Sequence, residues 1–471
     1  MEKIISDIYQ IIKQTDNLID LEEDIKTYMH QLFSGLIGDV FTRIDRGMKE
    51  KKRSEGWTVV HSDDKTVNFT FGAVTFSHTS MKDKRGTSHH PFDEWLGLDK
   101  YQRYSPLVEV KVAEMATEMD YRETARVLNE WTAVEMSHGT VGNIVKRVGS
   151  AQAAADQQMV EELDIADHLP VGKKVDYLFA EADGVFVKST QKGKGIEVSQ
   201  AIIYEGWNLN GKRVSLKEPT VIMTPKPISI FWDEVQAITA HKYSLEQTKI
   251  ATNSDGGKGY TADKFQTVFS QSENKVLNQL DTYHITQAIT RTFGAQSSEL
   301  KDKVRQAIKC HDRGQFKLWV DTYESTLAES DEKKIDQLKK FKNYIQNNWT
   351  RIFDWRQKVE KIPDGARSLG AMESNQRRIS FRMKRRGMCW SQSGSLGMVK
   401  VIQGRTNRTL RDAYLNRYKL SDRKKREIKQ SIRMSHFLAQ PTRPSIGVKQ
   451  GSVSLYVAHS TAVGNLLKSM R

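Results

Sequence analysis

The chain has 471 residues and a formal net charge of +15, with 73 Lys and Arg against 58 Asp and Glu, and 38% of it is hydrophobic. A chain of this length supports about two to four domains with real cores, and the basic surplus points to a polyanionic partner, nucleic acid first, with a solubilising surface as the plainer reading. Two cysteines, Cys310 and Cys389, exclude a disulfide framework, and no apolar run approaches the roughly 20 residues of a membrane span, so a cytoplasmic, nucleoid-associated protein without a membrane partner is expected.

Residues 1–104 read as a helical arm followed by a small β region. Ile4, Ile8, Ile11, Ile12, Leu18, Ile25, Met29, Leu32, Leu36, Val40 and Ile44 recur near helical spacing. One or two amphipathic helices follow, packed on their own domain or pairing with a second copy. TVNFTFGAVTFSHT alternates around a central glycine, as a hairpin does. His61, His78, His89 and His90 lie nearby, but their spacing matches no zinc-ligand pattern. Exposed loop histidines are expected.

Residues 105–150 predict three short helices, SPLVEVKVAEMATEM, YRETARVLNEW and HGTVGNIVKRVG, the last capped by Ser137. Ala125, Val127 and Leu128 can pack against Val141, Ile144 and Val145. Two helices joined by a short turn suit a helix-turn-helix. Its outward positions would be His138, Thr140, Asn143, Lys146 and Arg147, polar residues able to meet phosphates or base edges. A purely structural three-helix unit is the plainer alternative.

Residues 151–172 predict a helical linker. From 173 to 294 the order is βββαβαβ: VDYLFAEADGVFVKS, IEVSQAIIYEGW and RVSLKEPTVIMT as strands, SIFWDEVQAITAHKY as a helix, TKIATNSD as a strand, TADKFQTVFSQSEN as a helix, and VLNQLDTYH as a strand running into a helix. This is the order of an RNase H-like α/β core with a mixed sheet. Residues 295–362 contain no convincing strand and predict an all-helical insertion. The core resumes over 363–400, and 401–471 is a basic C-terminal region. The overall class is therefore multidomain α+β. From 377 to 433 there are 18 basic and 3 acidic residues. Arg382, Arg385, Arg386, Lys400, Arg423, Lys424, Lys425 and Arg426 are among the basic ones, and the imbalance suggests a surface that neutralises phosphates.

Three acids carry the candidate chemistry. Asp183 ends an apolar run in LFAEADGVFVK, Asp255 follows another in IATNSDGGKGY, and Glu373 opens a basic helical stretch in GAMESNQRR. Two Mg²⁺ ions, with Mn²⁺ as a substitute, need hard oxygen ligands of this kind for phosphodiester chemistry. Taken singly, an Asp-Gly is usually a turn, and Glu373 could simply sit well in a helix dipole. Asp176, Glu181 and Asp233 are rival carboxylates. Asp281 and His284, three apart in LDTYH, form either an accessory pair for the site or a local pair at a helix start. Trp319, Trp349 and Trp355 read as core residues, with base stacking as the alternative.

The stretch MESNQRRISFRMKRRGMCWSQSG, with EADGVFVK, SDGGKGY and DTYH, resembles bacterial insertion-sequence transposases of the ISLre type, relatives of the Mutator-like transposases. YRETARVLNEW followed by VEMSHGTVGNIV is similar to their helix-turn-helix. The resemblance implies an acidic-triad transposase that cuts at terminal inverted repeats and joins strands to target DNA, with Asp183, Asp255 and Glu373 as metal ligands. It implies Asp281 and His284 as accessory residues, double-stranded DNA as partner, and a homo-oligomer in the DNA complex. One departure is local: a bulky residue such as Trp is expected soon after the second acid, where this chain has Gly256, Gly257, Lys258, Gly259 and Tyr260. A non-catalytic DNA-binding protein, an RNase H-like metal-dependent nuclease and a helical interaction protein are the rival readings.

Overall fold

The computed structural model describes residues 1–165, 171–294 and 298–418. Helices α1 (Glu2–Gln14) and α2 (Leu18–Ser54) form where the periodicity predicts them, and Asn17 caps α2 by accepting the N–H groups of Ile19 and Asp20. Helix α2 lays Ile37, Phe41, Ile44 and Met48 on the hairpin of β1 (Thr58–Phe69) and β2 (Gly72–Lys82). Phe41 meets Phe76 and Phe92 edge-on at 5.4 and 5.5 Å, the geometry aromatic quadrupoles favour. Buried Asp45 of α2 accepts both the backbone N–H and the hydroxyl of Thr79, tying helix to hairpin. Strand β3 (Ser88–His89) pairs with β2 and leads into α3 (Pro91–Leu96). Of the histidines expected at exposed loop positions, His61 is exposed, though on β1, whereas His78 is not. His78 points inward from β2, its side chain only 13% exposed, and stacks on His90.

Helices α4 (Pro106–Met115), α5 (Tyr121–Trp131) and α6 (His138–Asp164) follow, each opened by a side-chain cap: Ser105, Asp120 and Ser137. The capping acceptors satisfy N–H groups a helix start leaves unpaired. Thr124, Ala125 and Leu128 of α5 are buried with Val141, Ile144 and Val145 of α6. The expected join between third helix and linker, at 150 to 151, falls inside α6. That helix runs on as part of the packed domain because its buried stripe continues through Ala151, Gln152 and Asp156, where a separate helical linker was expected.

After β4 (Lys173–Lys174), the chain builds β5 (Tyr177–Lys188), β6 (Gly195–Tyr204), the hairpin of β7 (Trp207–Asn210) and β8 (Arg213–Leu216), β9 (Thr220–Thr224), α7 (Ile228–Lys242), β10 (Tyr243–Ser244), β11 (Lys249–Ser254), α8 (Ala262–Val268), β12 (Leu277–Leu280) and α9 (Thr282–Phe293). RVSLKEPTVIMT is thus two strands, not one. Glu218 takes a left-handed backbone (φ 49°) and Pro219 has no N–H to give. The central sheet has the order β12-β11-β5-β6-β9, with β11 and β12 parallel to β5, and β6 antiparallel to both neighbours. Alternation along the strands sends Leu178, Ala180 and Ala182 to one face, under α7 and α8. Phe179, Val185 and Val187 go to the other, packed with α4 to α6 and the later helices.

Helices α10 (Ser298–Lys309), α11 (Arg313–Ser325) and α12 (Glu332–Asn347) share a core with α9, and the described residues of 295–362 contain no strand. Trp349 and Trp355 are buried, as core residues should be. The chain then returns through α13 (Ala371–Ile379), a π turn, α14 (Gln392–Asn407) and α15 (Leu410–Leu415). Met1–Tyr414 forms one compact unit. Helix α14 crosses α6 where Gly149 faces Gly397: a Cβ on Gly149 would lie 2.2 Å from the Gly397 carbonyl. Gln403 and Asn407 of α14 accept the N–H groups of Met223 and Val221 along the outer edge of β9, and Asn407 donates back to the Val221 carbonyl.

Two of the basic residues counted toward a phosphate surface are instead interior. Lys400 is fully buried, 2.6 Å from both Asp156 of α6 and Glu234 of α7. Arg382, 1% exposed, donates to the Ala116 carbonyl and lies over Tyr121 and Trp390. No helix among the described residues is long and apolar enough to cross a membrane.

Candidate active site

Register brings the acids together. Glu181 of β5 pairs with Asn253 of β11, and Asn253 with Gln279 of β12. Two residues on, Asp183, Asp255 and Asp281 stand level across three adjacent parallel strands, where β11 and β12 end. Ligand sites in open α/β sheets lie at such carboxyl ends.

Asp183 is held from two sides. Its Oδ1 accepts the Gly184 N–H at 2.7 Å and its Oδ2 accepts the Gln376 side-chain amide of α13. His284 Nε2 lies 3.9 Å from the same Oδ2. Burial, with the negative charge of Asp255 adding to it, pushes the Asp183 carboxyl up to about 6. Asp281 caps α9 by accepting the Tyr283 N–H at 2.9 Å, and burial, with Glu181 and Glu373 adding to it, raises its carboxyl as well. Asp281 thus bonds Tyr283 as a helix cap, while His284 reaches toward Asp183.

Among the rivals, Glu181 is fully buried and its oxygens are saturated. It accepts from Tyr204 Oη, from Asn253 Nδ2 and from the backbone N–H groups of Gly370, Ala371 and Met372. A carboxylate under the first N–H groups of a helix is the arrangement the helix dipole favours. Glu181 therefore fixes the start of α13 against β5. Glu373 lies in the first turn of α13, exposed, and Gln376 one turn later reaches Asp183. Asp176 is exposed before β5, and Asp233 sits on α7, on the opposite face.

The loop after β11 is clamped by the helical insertion. Tyr344 Oη donates to the Asp255 carbonyl at 3.1 Å, and Arg351 donates to Ser254 Oγ at 2.7 Å. Asp255 Oδ1 accepts the Gly257 N–H. Gly256 has φ +80°, and a Cβ there would meet Arg351 and Asn348 at about 3 Å, so a side chain is excluded. The bulky residue expected soon after this acid is present as Tyr260, buried and donating to Ser199.

Among the described residues, the set of three or more His, Cys, Asp or Glu whose ligand atoms all lie within 4.8 Å of one another is His78, His90 and Asp93. Asp183 and Asp255 stand level at neighbouring strands, and Glu373 is on the helix whose start Glu181 holds against β5; these three do not form a set of that tightness. Two ions bound by such a set would stand about 4 Å apart, each about 2 Å from its ligands. The donors are hard oxygens, and Asp183 and Asp255 repel each other without a cation beside them, so the residues fit Mg²⁺.

Of the expected DNA contacts, His138, Asn143 and Lys146 are exposed along α6 and Thr140 is half-buried, bonded to Ser137. Arg147 instead pairs with Glu109, which is wholly buried. Arg385 and Arg386 are exposed, with Arg386 donating to the Glu118 carbonyl. Arg423, Lys424, Lys425 and Arg426 lie outside the described residues. Sequence reasoning missed Gln376, Tyr344 and Arg351. Only Gln376 left a signal, being one turn from Glu373.

A mixed five-stranded sheet flanked by helices, with a row of carboxylates at its parallel end, defines an α+β protein with a candidate metal-dependent site. The chain belongs to UPF0236, an uncharacterised protein family, whose model matches residues 11–417. It is similar to the "UPF0236 protein in vanSb 3'region" of Streptococcus gallolyticus, 30% identical over 467 residues and covering 99% of each chain. It is also similar to UPF0236 proteins of Caldanaerobacter subterraneus subsp. tengcongensis. One is 24% identical, covering 92% of this chain and 88% of its own, and its name joins four locus designations. Another is 23% identical over 395 residues, covering 83% and 78%, and its name joins eleven.

Proposed function

We propose that this protein is a transposase with an RNase H-like core, cutting DNA at the ends of an insertion sequence and joining those ends to target DNA. The observation that carries the reading is the level placement of Asp183 and Asp255 on neighbouring parallel strands, with the Glu373 helix pinned beside them by Glu181. Three antiparallel strands continued by two parallel ones, then a helical block before the third acid, support the RNase H-like assignment. The helices α4 to α6, with His138, Asn143 and Lys146 exposed, suit a helix-turn-helix that meets DNA. Relatives whose single name joins four or eleven loci of one strain fit a gene that copies itself within a chromosome.

Asp183, Asp255 and Glu373 would hold two Mg²⁺ ions, which when bound activate an attacking water or 3′-hydroxyl and stabilise the leaving oxygen. Gln376 and the Gly184 N–H fix the Asp183 carboxylate so that it is already aimed before DNA arrives. His284 stands beside Asp183 as a donor to a scissile phosphate. Tyr344 and Arg351 hold the backbone that carries Asp255. Arg385 and Arg386 supply phosphate contacts, which fix register without reading sequence. The test is incubation of the purified chain with labelled DNA carrying the sequences that flank its own gene, with Mg²⁺. Nicks at the element's ends are expected, and their absence from every Mg²⁺ or Mn²⁺ reaction would remove the reading.

A further inference from the structure

We propose that the N-terminal hairpin unit carries a second metal site, taking one zinc-class divalent ion through His78, His90 and Asp93. It lies on other elements than the acids above and does not depend on their role. His78 projects from β2, His90 is the residue before α3, and Asp93 stands in the first turn of α3. One ligand atom from each lies within 4.8 Å of the others.

The surroundings point to a cation. Asp93 is only 3% exposed, yet its Oδ1 has no hydrogen-bond partner, and neither does the buried Nδ1 of His90. Buried polar atoms are nearly always paired, so two unpaired ones at one spot are unusual. A cation satisfies both at once. The other Asp93 oxygen is already engaged, by Lys65 Nζ at 2.7 Å and His78 Nδ1 at 3.2 Å. Lys65, outside the ligand set, is the kind of outer partner that holds a ligating carboxylate in place. Burial, with the positive charge His78 can carry, lowers the His90 pKa, which keeps the ring neutral with a lone pair to give.

Two imidazoles and a carboxylate select a transition metal over Mg²⁺ or Ca²⁺, which prefer all-oxygen sets. The fourth position has room. A cavity of about 410 Å³ opens there, lined in part by His61, His78 and His90, with the His61 ring 6.5 Å from that of His90. A water or His61 can complete a tetrahedron. The ion would staple β2 to α3 across the exposed turn around Gly86, joining elements that otherwise share a small core.

The full-length chain, stripped with a chelator, is titrated with Zn²⁺ and separately with Co²⁺. One ion per chain is expected, with visible Co²⁺ bands of a nitrogen and oxygen site and a higher melting temperature with Zn²⁺. His78→Gln and His90→Gln should each lose stoichiometric binding, while Glu373→Gln should keep it, as should wild type in excess Mg²⁺. A thiolate charge-transfer band would place the metal on Cys310 or Cys389 and overturn the proposal. So would the absence of stoichiometric zinc in wild type, or full binding by a folded His90→Gln chain. Should either Gln variant fail to fold, the wild-type Co²⁺ spectrum and the other variant decide.

Discussion

Glu181 and Asp183 stand two residues apart on the same face of β5, and the fold gives their carboxylates opposite tasks. Glu181 spends both oxygens on five donors, three of them the first N–H groups of α13. Asp183 faces outward to Gln376, with Asp255 and His284 nearby. One anchors the helix that brings Glu373, and the other faces the site that helix completes.

Separate substitutions should therefore separate the two roles. Asp183→Asn, Asp255→Asn and Glu373→Gln keep shape but remove a ligating charge, so each should abolish nicking and joining while the chain still folds and binds DNA. Glu181→Gln weakens charge-assisted hydrogen bonds and should cost about 1–3 kcal/mol of stability. Denaturant unfolding beside a nicking assay tells them apart. Normal cutting by any of the first three removes that residue from the triad.

The raised Asp183 carboxyl makes a pH prediction. Its folded value of about 6 lies above the ordinary 3.8, so the folded state binds the proton more tightly than the unfolded chain does. The favourable contribution is full below about pH 4 and is lost as pH rises through about 6, worth at most about 3 kcal/mol. Without divalent ions, wild type should lose stability relative to Asp183→Asn across that window. With Mg²⁺ the difference should shrink. Parallel melting curves in the two variants across pH 4 to 7 would expose an error as equal slopes.

Lys400→Met should be severe. It strands Asp156 and Glu234 in a dry interior, where breaking a buried pair costs about 3–5 kcal/mol. Three helices, α6, α7 and α14, meet at that ammonium. Urea unfolding measures the loss, and a change under about 1 kcal/mol would mean water reaches the cluster.

On DNA, substituting Asn143 and Lys146 should narrow the gap between end DNA and random DNA. Neutralising Arg423, Lys424, Lys425 and Arg426 should weaken both and flatten the log–log salt dependence by up to roughly one unit per lost phosphate contact. Arg147→Ala should behave differently from its α6 neighbours, costing about 1–3 kcal/mol of stability by leaving Glu109 without its guanidinium, with little change in sequence preference. Titrations on both DNAs at several salt concentrations check all three. Equal losses on both sequences for the Asn143 and Lys146 variant would move end recognition elsewhere in the chain.

Much of this was legible from local pattern. Alternation found the β1–β2 hairpin, apolar runs found β5 and β11, and spacing found most of the helices and the cap Ser137, because each depends on neighbours within a few residues. The acids at 183, 255 and 373 were visible as residue types in context. What escaped was long-range. Glu181 meets its partners 189 to 191 residues later. Lys400 reads as one more basic residue until α6 and α7 close around it. His78 and His90 match no ligand spacing, since strand and helix geometry, not sequence distance, brings them together. RVSLKEPTVIMT misled because its apolar content outweighed the Pro219 that divides it.

Gln403 and Asn407 have a consequence beyond holding α14 in place. By occupying the outer rim of β9 with side-chain amides, they leave that rim with fewer free backbone groups for a foreign strand to zip onto. Copies of this protein at high local concentration are thereby discouraged from fusing sheet to sheet on that side. A variant with Ala at both positions should stay folded yet become prone to polymerise, a liability that helix α14 suppresses with two short side chains.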